Sequence, residues 1–163
     1  MAQFPEARLI AGATELGLGI TKKFQRFPVL VSVEAIPELN ELRSTPNEWT
    51  IGAAVNLTRI DEMLGDEYPE LREMLLVFGS RQIRNRATMG GNLVTASPIG
   101  DSAPALPAIE AEAVLASAAG ARRVPPDHFC VSARKPALAP RKLLQAHTRP
   151  PPPPRTPPAP HRP

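Results

Sequence analysis

The distribution of proline constrains this chain more than any other feature of its sequence. Thirteen of the 21 prolines lie in the last 39 residues, and five of them are consecutive at positions 150–154. Proline fixes φ and lacks an N–H donor, so a dense run favours extended polyproline II over helix or sheet interior. The sequence therefore predicts that residues 125–163 stay outside the core and that residues 1–124 build the fold.

The basic character of the chain also belongs to its proline-rich end. Residues 1–124 carry 12 Lys and Arg against 15 Asp and Glu, a net charge of −3, whereas residues 125–163 carry 7 basic residues and 1 acidic residue, a net charge of +6. Binding of nucleic acid needs a basic patch on the folded domain. We therefore expect no nucleic acid among the partners.

Cysteine and histidine are too few and too scattered for a metal site. The single cysteine, Cys130, excludes an internal disulfide, and iron–sulfur clusters usually need four thiolates. His128, His147 and His161 do not have the spacing of zinc ligands. The sequence has neither an apolar run of about 20 residues nor a secretory signal pattern. We expect no metal, no membrane association and a cytoplasmic location.

The first 33 residues predict a small β-α-β unit. An apolar strand over Arg8–Ala11 is followed by a turn at Gly12–Thr14, a helix over Glu15–Lys23 capped by Thr14, and a strand over Val29–Val33, which should be parallel to the first. The turn could present free N–H groups to an anion, or it could simply be a tight strand-to-helix connection. It matches neither G-x-G-x-x-G nor a P-loop.

A second segment of small residues runs from Thr88 to Asp101. It contains the adjacent glycines Gly90 and Gly91, and glycine accepts φ > 0 with its N–H uncovered. Consecutive uncovered N–H groups form a concavity suited to phosphate oxygens. The segment predicts either a phosphate-binding loop or an ordinary glycine-rich turn. Its other polar members are Thr88, Asn92, Thr95, Ser97 and the carboxylate of Asp101.

The rest of the chain to residue 124 alternates short helices and strands. The predicted elements are a helical turn over Ile36–Leu42, a strand over Trp49–Val55, a helix capped by Asn56 or Thr58 and reaching Leu64, a long helix over Pro69–Ala87, a helix over Ser102–Ile109, and a hairpin of Ala113–Ser117 with Arg122–Val124. Arg81, Arg84 and Arg86 near the end of the long helix indicate either a solvated cationic face or a phosphate clamp.

The two small-residue segments resemble, in order and spacing, those of a known family. Leu9–Leu16 and Thr88–Asn92, with Ser97–Asp101, are similar to the FAD-binding domain of the molybdenum hydroxylases, which include xanthine dehydrogenase and carbon monoxide dehydrogenase flavoproteins. The resemblance extends from Arg8 to about Val124. It implies an α+β, two-lobed FAD-binding fold of the PCMH/vanillyl-alcohol-oxidase type, incomplete at its C-terminal end. The lobes would cover residues 1–55 and 56–124, and residues 125–163 would form a Pro/Arg-rich tail.

The resemblance also implies which residues bind FAD. The first segment would wrap the pyrophosphate through backbone N–H groups, the second would approach from the other side, Phe78 would lie near the flavin, and Asp101 would contact FAD. Trp49 is expected to be a core anchor rather than a flavin-stacking residue. The expected cofactor-binding residues are Leu9, Ile10, Ala11, Gly12, Ala13, Thr14, Glu15, Leu16, Phe78, Thr88, Met89, Gly90, Gly91, Asn92, Thr95, Ser97 and Asp101.

The implied function is that of an FAD-dependent oxidoreductase component similar to the flavin part of xanthine dehydrogenase, an enzyme of purine catabolism. FAD would pass electrons from iron–sulfur clusters to NAD, and the partners would be molybdopterin-binding and iron–sulfur subunits or domains. Two alternatives stay open. The chain could be a truncated or frame-shifted, inactive version of the domain, or its proline-rich end could be a ligand for an SH3-type module.

Overall fold

The computed structural model describes residues 4–97, 100–125, 130–132, 135–136 and 143–149. The strands are β1 (Arg8–Ile10), β2 (Leu30–Ser32), β3 (Leu42–Ser44), β4 (Trp49–Gly52), β5 (Glu112–Ser117), β6 (Gly120–Val124), β7 (Cys130–Ser132), β8 (Lys135–Pro136) and β9 (Leu143–Arg149). The helices are α1 (Leu16–Thr21), α2 (Leu57–Leu64), α3 (Pro69–Val77), α4 (Arg81–Arg84), α5 (Met89–Thr95) and α6 (Ser102–Ala108), and a 3-10 turn covers Pro37–Leu39. This mixture is consistent with the predicted α+β class.

The N-terminal β-α-β unit is confirmed. Strands β1 and β2 pair in parallel, with Leu9 opposite Val31, and α1 connects them. The prediction that Thr14 caps this helix is wrong, because Glu15 occupies the cap position with helical backbone angles (φ −90°, ψ −45°) and makes no side-chain capping bond. An N-cap side chain reaches the first turn from an extended backbone, which this tight turn does not provide.

A five-stranded antiparallel sheet has the order β3-β4-β9-β5-β6. Its middle strand, β9, lies between β4 and β5, so the prediction that nothing beyond residue 125 joins the fold is wrong for Leu143–Arg149. The reason is local: these seven residues lie between Pro140 and Pro150 and contain no proline, so every N–H is available to the ladder. Strands β3 and β4 belong to this sheet although they precede residue 55, and the lobe boundary at that residue stays a prediction.

The main core lies between this sheet and the helices. Trp49, Leu57, Ile60, Leu75 and Met89 are among its buried members. The Trp49 Nε1 donates to Glu67 Oε2 at 2.8 Å, as suits a core anchor with a polar edge. The N-cap of α2 is Asn56, whose Oδ1 accepts from the Arg59 N–H at 2.8 Å. One of the two caps considered from the sequence is thereby confirmed.

The long helix predicted over Pro69–Ala87 is two helices. α3 ends at Val77 and α4 begins at Arg81, because Gly79 between them has φ +52°. Only glycine adopts that angle without a steric penalty. The Arg84 Nη1 donates to the carbonyl oxygens of Phe78 and Gly79 at 3.1 and 2.9 Å, which satisfies acceptors that the break exposes.

An ion pair between Arg72 and Asp61 also connects helices α2 and α3. The Arg72 guanidinium donates to Asp61 at 3.1 Å and to Asp66, and these bonds raise the pKa of Arg72.

The predicted hairpin is present as β5 and β6, and the predicted helix after Asp101 is present as α6. Across the described ranges, the helices are too short or too polar to span a bilayer.

Candidate cofactor-binding site

A cleft of about 720 Å³ separates the N-terminal unit from the segment that runs from α3 to the start of α6. This volume falls within the range of about 300–1,000 Å³ that is usual for small-molecule and cofactor sites. Its lining residues are Ala7, Arg8, Leu9, Ile10, Ala11, Gly12, Ala13, Thr14, Glu15, Leu16, Leu18, Phe78, Ile83, Ala87, Thr88, Gly91, Asn92, Val94, Thr95, Ser97 and Gly100. The two segments singled out in the sequence therefore face one space.

The first wall is the turn over residues 11–16, which we call the first loop. No residue in the described part of the chain accepts a hydrogen bond from any of its six N–H groups. Ala13 has φ +61°, the left-handed region. A left-handed residue next to right-handed ones turns successive N–H groups toward one side, which is the geometry of an anion-binding nest. Free N–H groups also occur at the start of any helix, and α1 begins within this loop at Leu16, so the geometry fits both an anion-binding loop and a simple connecting turn.

The second wall, over residues 88–97, is mostly helix rather than loop. Thr88 is the N-cap of α5, and its Oγ1 accepts from the Gly91 N–H at 3.0 Å. Gly90 and Gly91 do not use the positive φ that glycine accepts, because both lie in the first turn of this helix. Gly90 is required for another reason: a Cβ there would lie 2.5 Å from the Ala53 carbonyl oxygen.

The remaining polar groups of the second wall hold its own structure. The Thr95 Oγ1 donates to the Gly91 carbonyl at 2.9 Å, and the Asn92 Oδ1 accepts from the Ser102 N–H at 3.2 Å. The first bond lies within α5, and the second ties α5 to the start of α6. The second wall therefore uses many of its donors and acceptors internally, whereas the first loop leaves its donors free.

The two walls touch at Gly12. A Cβ on Gly12 would collide with the carbonyl oxygen of Arg86 and would lie 3.1 Å from the Ala87 nitrogen. The Ala87 carbonyl in turn accepts from the Leu57 N–H at 2.9 Å, which anchors this point to α2. Any side chain at position 12 would force the walls apart, so the glycine is required by close approach.

Fourteen of the seventeen residues expected at the site line the cleft. The three that do not are Met89, whose side chain is buried in the core, Gly90, which is packed against Ala53, and Asp101, which is exposed before α6. The lining residues that sequence reasoning missed include Arg8, Leu18, Ile83 and Val94. The last three are apolar side chains that remain 39–46% exposed, and only the folded structure reveals an apolar surface left uncovered.

The charges at the cleft are few and opposed. Among the described lining residues, Arg8 and Glu15 are the ionisable ones. The arginines considered as a phosphate clamp do not line the cleft: Arg84 is bonded to carbonyls, and Arg86 pairs with Glu34 at 2.5 Å. An anion bound here would therefore be held by main-chain N–H groups rather than by an arginine cluster.

A mixed fold of helices and strands with a cleft of this size is typical of a cofactor-binding domain. The family model described as the FAD binding domain in molybdopterin dehydrogenase matches residues 1–151. The chain belongs to this family, and FAD is the cofactor of the family.

Relatives of known name agree with the family. The chain is 36% identical over 155 residues to the xanthine dehydrogenase/oxidase of Gallus gallus, which covers 88% of this chain and 11% of that protein. It is 38% identical over 129 residues to the xanthine dehydrogenase of Drosophila pseudoobscura pseudoobscura, covering 72% of this chain and 10% of that protein. The chain thus spans about a tenth of these relatives, which are oxidoreductases.

Solved structures show the same fold. Quinoline 2-oxidoreductase from Pseudomonas putida 86 superposes with a TM-score of 0.86 at 27% identity, over 93% of this chain and 54% of that one. The Cu,Mo-CO dehydrogenase in its cyanide-inactivated form gives a TM-score of 0.84 at 28% identity, over 91% and 52%. The chain covers about half of these solved chains. The expected likeness to molybdenum hydroxylase flavoproteins is confirmed.

Proposed function

We propose that this chain is the FAD-carrying component of a molybdenum hydroxylase and that the cleft between the first loop and α5 is its FAD site. The observation that carries the proposal is the set of six N–H groups at residues 11–16, which have no acceptor among the described residues and border a cleft of about 720 Å³. The oxygens of a diphosphate would accept hydrogen bonds from such N–H groups, and binding of this kind needs no nearby cation.

The roles of the individual residues follow from their places. Residues 11–16 would hold the diphosphate, with Leu9 and Ile10 forming the floor and Thr14 a side-chain donor. The second wall would approach from the opposite side, where Gly91, Asn92, Thr95 and Ser97 line the cleft. Met89 and Gly90 lie behind that surface, so their contribution would be limited to the backbone at the start of α5.

Two side chains would contact other parts of FAD. Phe78 lines the cleft and is half-buried at the break between α3 and α4, which suits contact with the flavin ring. Asp101 is exposed and outside the lining, and we propose that its carboxylate accepts a hydrogen bond from a hydroxyl or amide of the cofactor rather than facing the phosphates.

The chemistry would be that of the cofactor. Bound FAD supplies hydride and single-electron transfer, while the protein contributes binding, orientation and electrostatics. By likeness to the relatives, we propose iron–sulfur and molybdopterin-binding subunits or domains as partners, with electrons leaving through FAD to NAD. NAD as the acceptor and the cytoplasm as the location are predictions, which NADH formation in the reconstituted complex and cell fractionation would test.

The experiment is a comparison of flavins that differ only in their phosphates. Purified protein is titrated with FAD, FMN and riboflavin, and binding is followed through flavin fluorescence. If the diphosphate is the main point of recognition, FAD should bind at least about tenfold more tightly than FMN, a difference in binding free energy of about 1.4 kcal/mol or more. Riboflavin, which has no phosphate, should bind most weakly. ADP should compete with FAD. Failure to take up FAD, or equal affinity for FAD and riboflavin, would contradict the proposal and favour the inactive version.

A further inference from the structure

An ion pair links the two walls of the cleft without lining it. The Arg86 Nη2 lies 2.5 Å from Glu34 Oε1. Glu34 follows β2, whose partner β1 leads directly into the first loop, and Arg86 comes just before the N-cap of α5. The pair therefore connects the unit that carries the first loop with the segment that carries the second wall.

Both members of the pair are held at the backbone. The Glu34 N–H donates to Ser32 Oγ at 3.3 Å, and its carbonyl accepts from Asn40 Nδ2 at 2.7 Å. The Arg86 carbonyl oxygen lies so close to Gly12 that a Cβ on Gly12 would overlap it. The backbone of Arg86 thus contacts the first loop, and its side chain forms an ion pair with Glu34 at the end of β2.

We infer that Arg86, through Glu34, is a positioning residue that sets the spacing between the first loop and α5 and thereby raises the affinity for FAD without touching it. The inference rests on the proposed FAD site. Its direction follows from the geometry, because loss of the pair leaves the walls in contact at Gly12 but removes a bond that resists their separation.

The expected size of the effect is modest. The side chains of Arg86 and Glu34 are 58% and 44% exposed, and exposed ion pairs change an equilibrium constant by a factor of roughly two to five. The effect should also disappear in high salt, since the screening length falls to about 3 Å at 1 M.

The test compares this pair with a second pair of the same exposure. Arg43 and Glu41 are 54% and 44% exposed and form an ion pair at 2.8 Å near β3, away from the cleft. The FAD dissociation constant and the melting temperature of the apoprotein are measured for Arg86→Gln, Glu34→Gln, the double variant, the exchanged pair Arg86→Glu with Glu34→Arg, and the control Glu41→Gln.

We expect Arg86→Gln and Glu34→Gln each to weaken FAD binding about two- to fivefold at low salt. The double variant should be no weaker than either single variant, the exchanged pair should recover part of the affinity, and the control should match the wild type. The apoprotein melting temperatures of all variants should agree with that of the control, which separates positioning from a general loss of stability.

The inference is overturned if the wild type binds FAD and the two single variants bind as tightly as the control, or if their losses simply add in the double variant. It is also overturned if the melting temperature falls and the affinity does not. A wild type that takes up no FAD contradicts the proposed function instead, so the two failures are distinguishable.

Discussion

The two walls of the cleft are built from similar residues and differ in what their backbone does. The first loop, residues 11–16, is an irregular turn whose N–H groups have no acceptor in the described structure. The second wall, residues 88–97, is largely helical, and Thr88 caps its start. The N–H groups of the first loop have no acceptor among the described residues, whereas the second wall bonds part of its donors and acceptors internally.

The glycines differ in the same way. Gly12 lets the first loop approach the Arg86 carbonyl, so it controls the width of the cleft. Gly90 lets α5 lie against Ala53, so it controls how the second wall packs on the core. We propose from this comparison that the first wall is organised for binding and the second for support, and each prediction below tests that division.

The largest effect should come from Gly12→Ala. Its Cβ would overlap the Arg86 carbonyl and force the walls apart, so we expect FAD affinity to fall at least about 100-fold, or about 2.7 kcal/mol. The matched control is Gly17→Ala, whose Cβ meets nothing within 4 Å and which should bind FAD as the wild type does. Equal FAD affinities for the two variants in a fluorescence titration would show that the first loop does not take part in FAD binding.

Gly90→Ala should act on stability first. A Cβ 2.5 Å from the Ala53 carbonyl oxygen and 2.6 Å from the Ala53 Cβ overpacks the interface, which costs about 1–3 kcal/mol in free energy of unfolding. Urea denaturation of the apoprotein measures the change. A variant as stable as the wild type that nevertheless binds no FAD would show that the second wall is a binding surface and not mainly a support.

Thr88→Ala should cost less. The loss of the Thr88 Oγ1 acceptor for the Gly91 N–H removes an N-cap, which is worth about 0.5–2 kcal/mol. Thr88→Ser keeps the hydroxyl and should keep most of the stability. Identical denaturation midpoints for the alanine and serine variants would mean that the cap does not hold this wall.

Ala13→Gly should give the smallest change and the opposite sign. Ala13 has φ +61°, a conformation that costs an L-residue about 1–2 kcal/mol. Glycine relieves this cost, but its greater freedom in the unfolded chain opposes the gain by about 0.5–1 kcal/mol. The free energy of unfolding should therefore rise by up to about 1.5 kcal/mol.

Ala96→Gly is the matched control for this change, because Ala96 has φ +46° at the end of α5 and does not line the cleft. Ala13→Gly should gain stability, whereas Ala96→Gly should gain less, because Ala96 is buried and the loss of its methyl group removes packing contacts. Only Ala13→Gly should alter FAD affinity, since it loosens the free N–H groups. A loss of stability in Ala13→Gly would show that the left-handed turn is absent in solution.

The sequence predicted which segments line the cleft better than it predicted their backbone geometry. Strands β1 and β2 and the cap of α2 followed from apolar runs and short polar residues. The conformation of Gly90 did not, because the sequence cannot distinguish a glycine needed for φ > 0 from one needed for close packing on Ala53, 37 positions away. That distinction depends on tertiary contact.

Two further misses have local causes. The sequence predicts one helix over Pro69–Ala87, whereas Gly79 with φ +52° ends the first helix outright. Strand β9 was missed because the proline content of residues 125–163 was averaged over the whole segment, while Leu143–Arg149 is a proline-free stretch of seven residues. An average composition over 39 residues therefore hides a proline-free stretch of seven residues that is long enough to form a strand.

The most direct test of the account is the amide spectrum of the protein during titration with ADP, which carries the diphosphate of FAD without the flavin. If the first loop holds the diphosphate, the ¹H–¹⁵N signals of residues 11–16 should shift most and their exchange with solvent should slow on binding, while the Gly91 N–H, already bonded to Thr88, should change little. Tight binding of FAD with no shift in residues 11–16 would contradict the account.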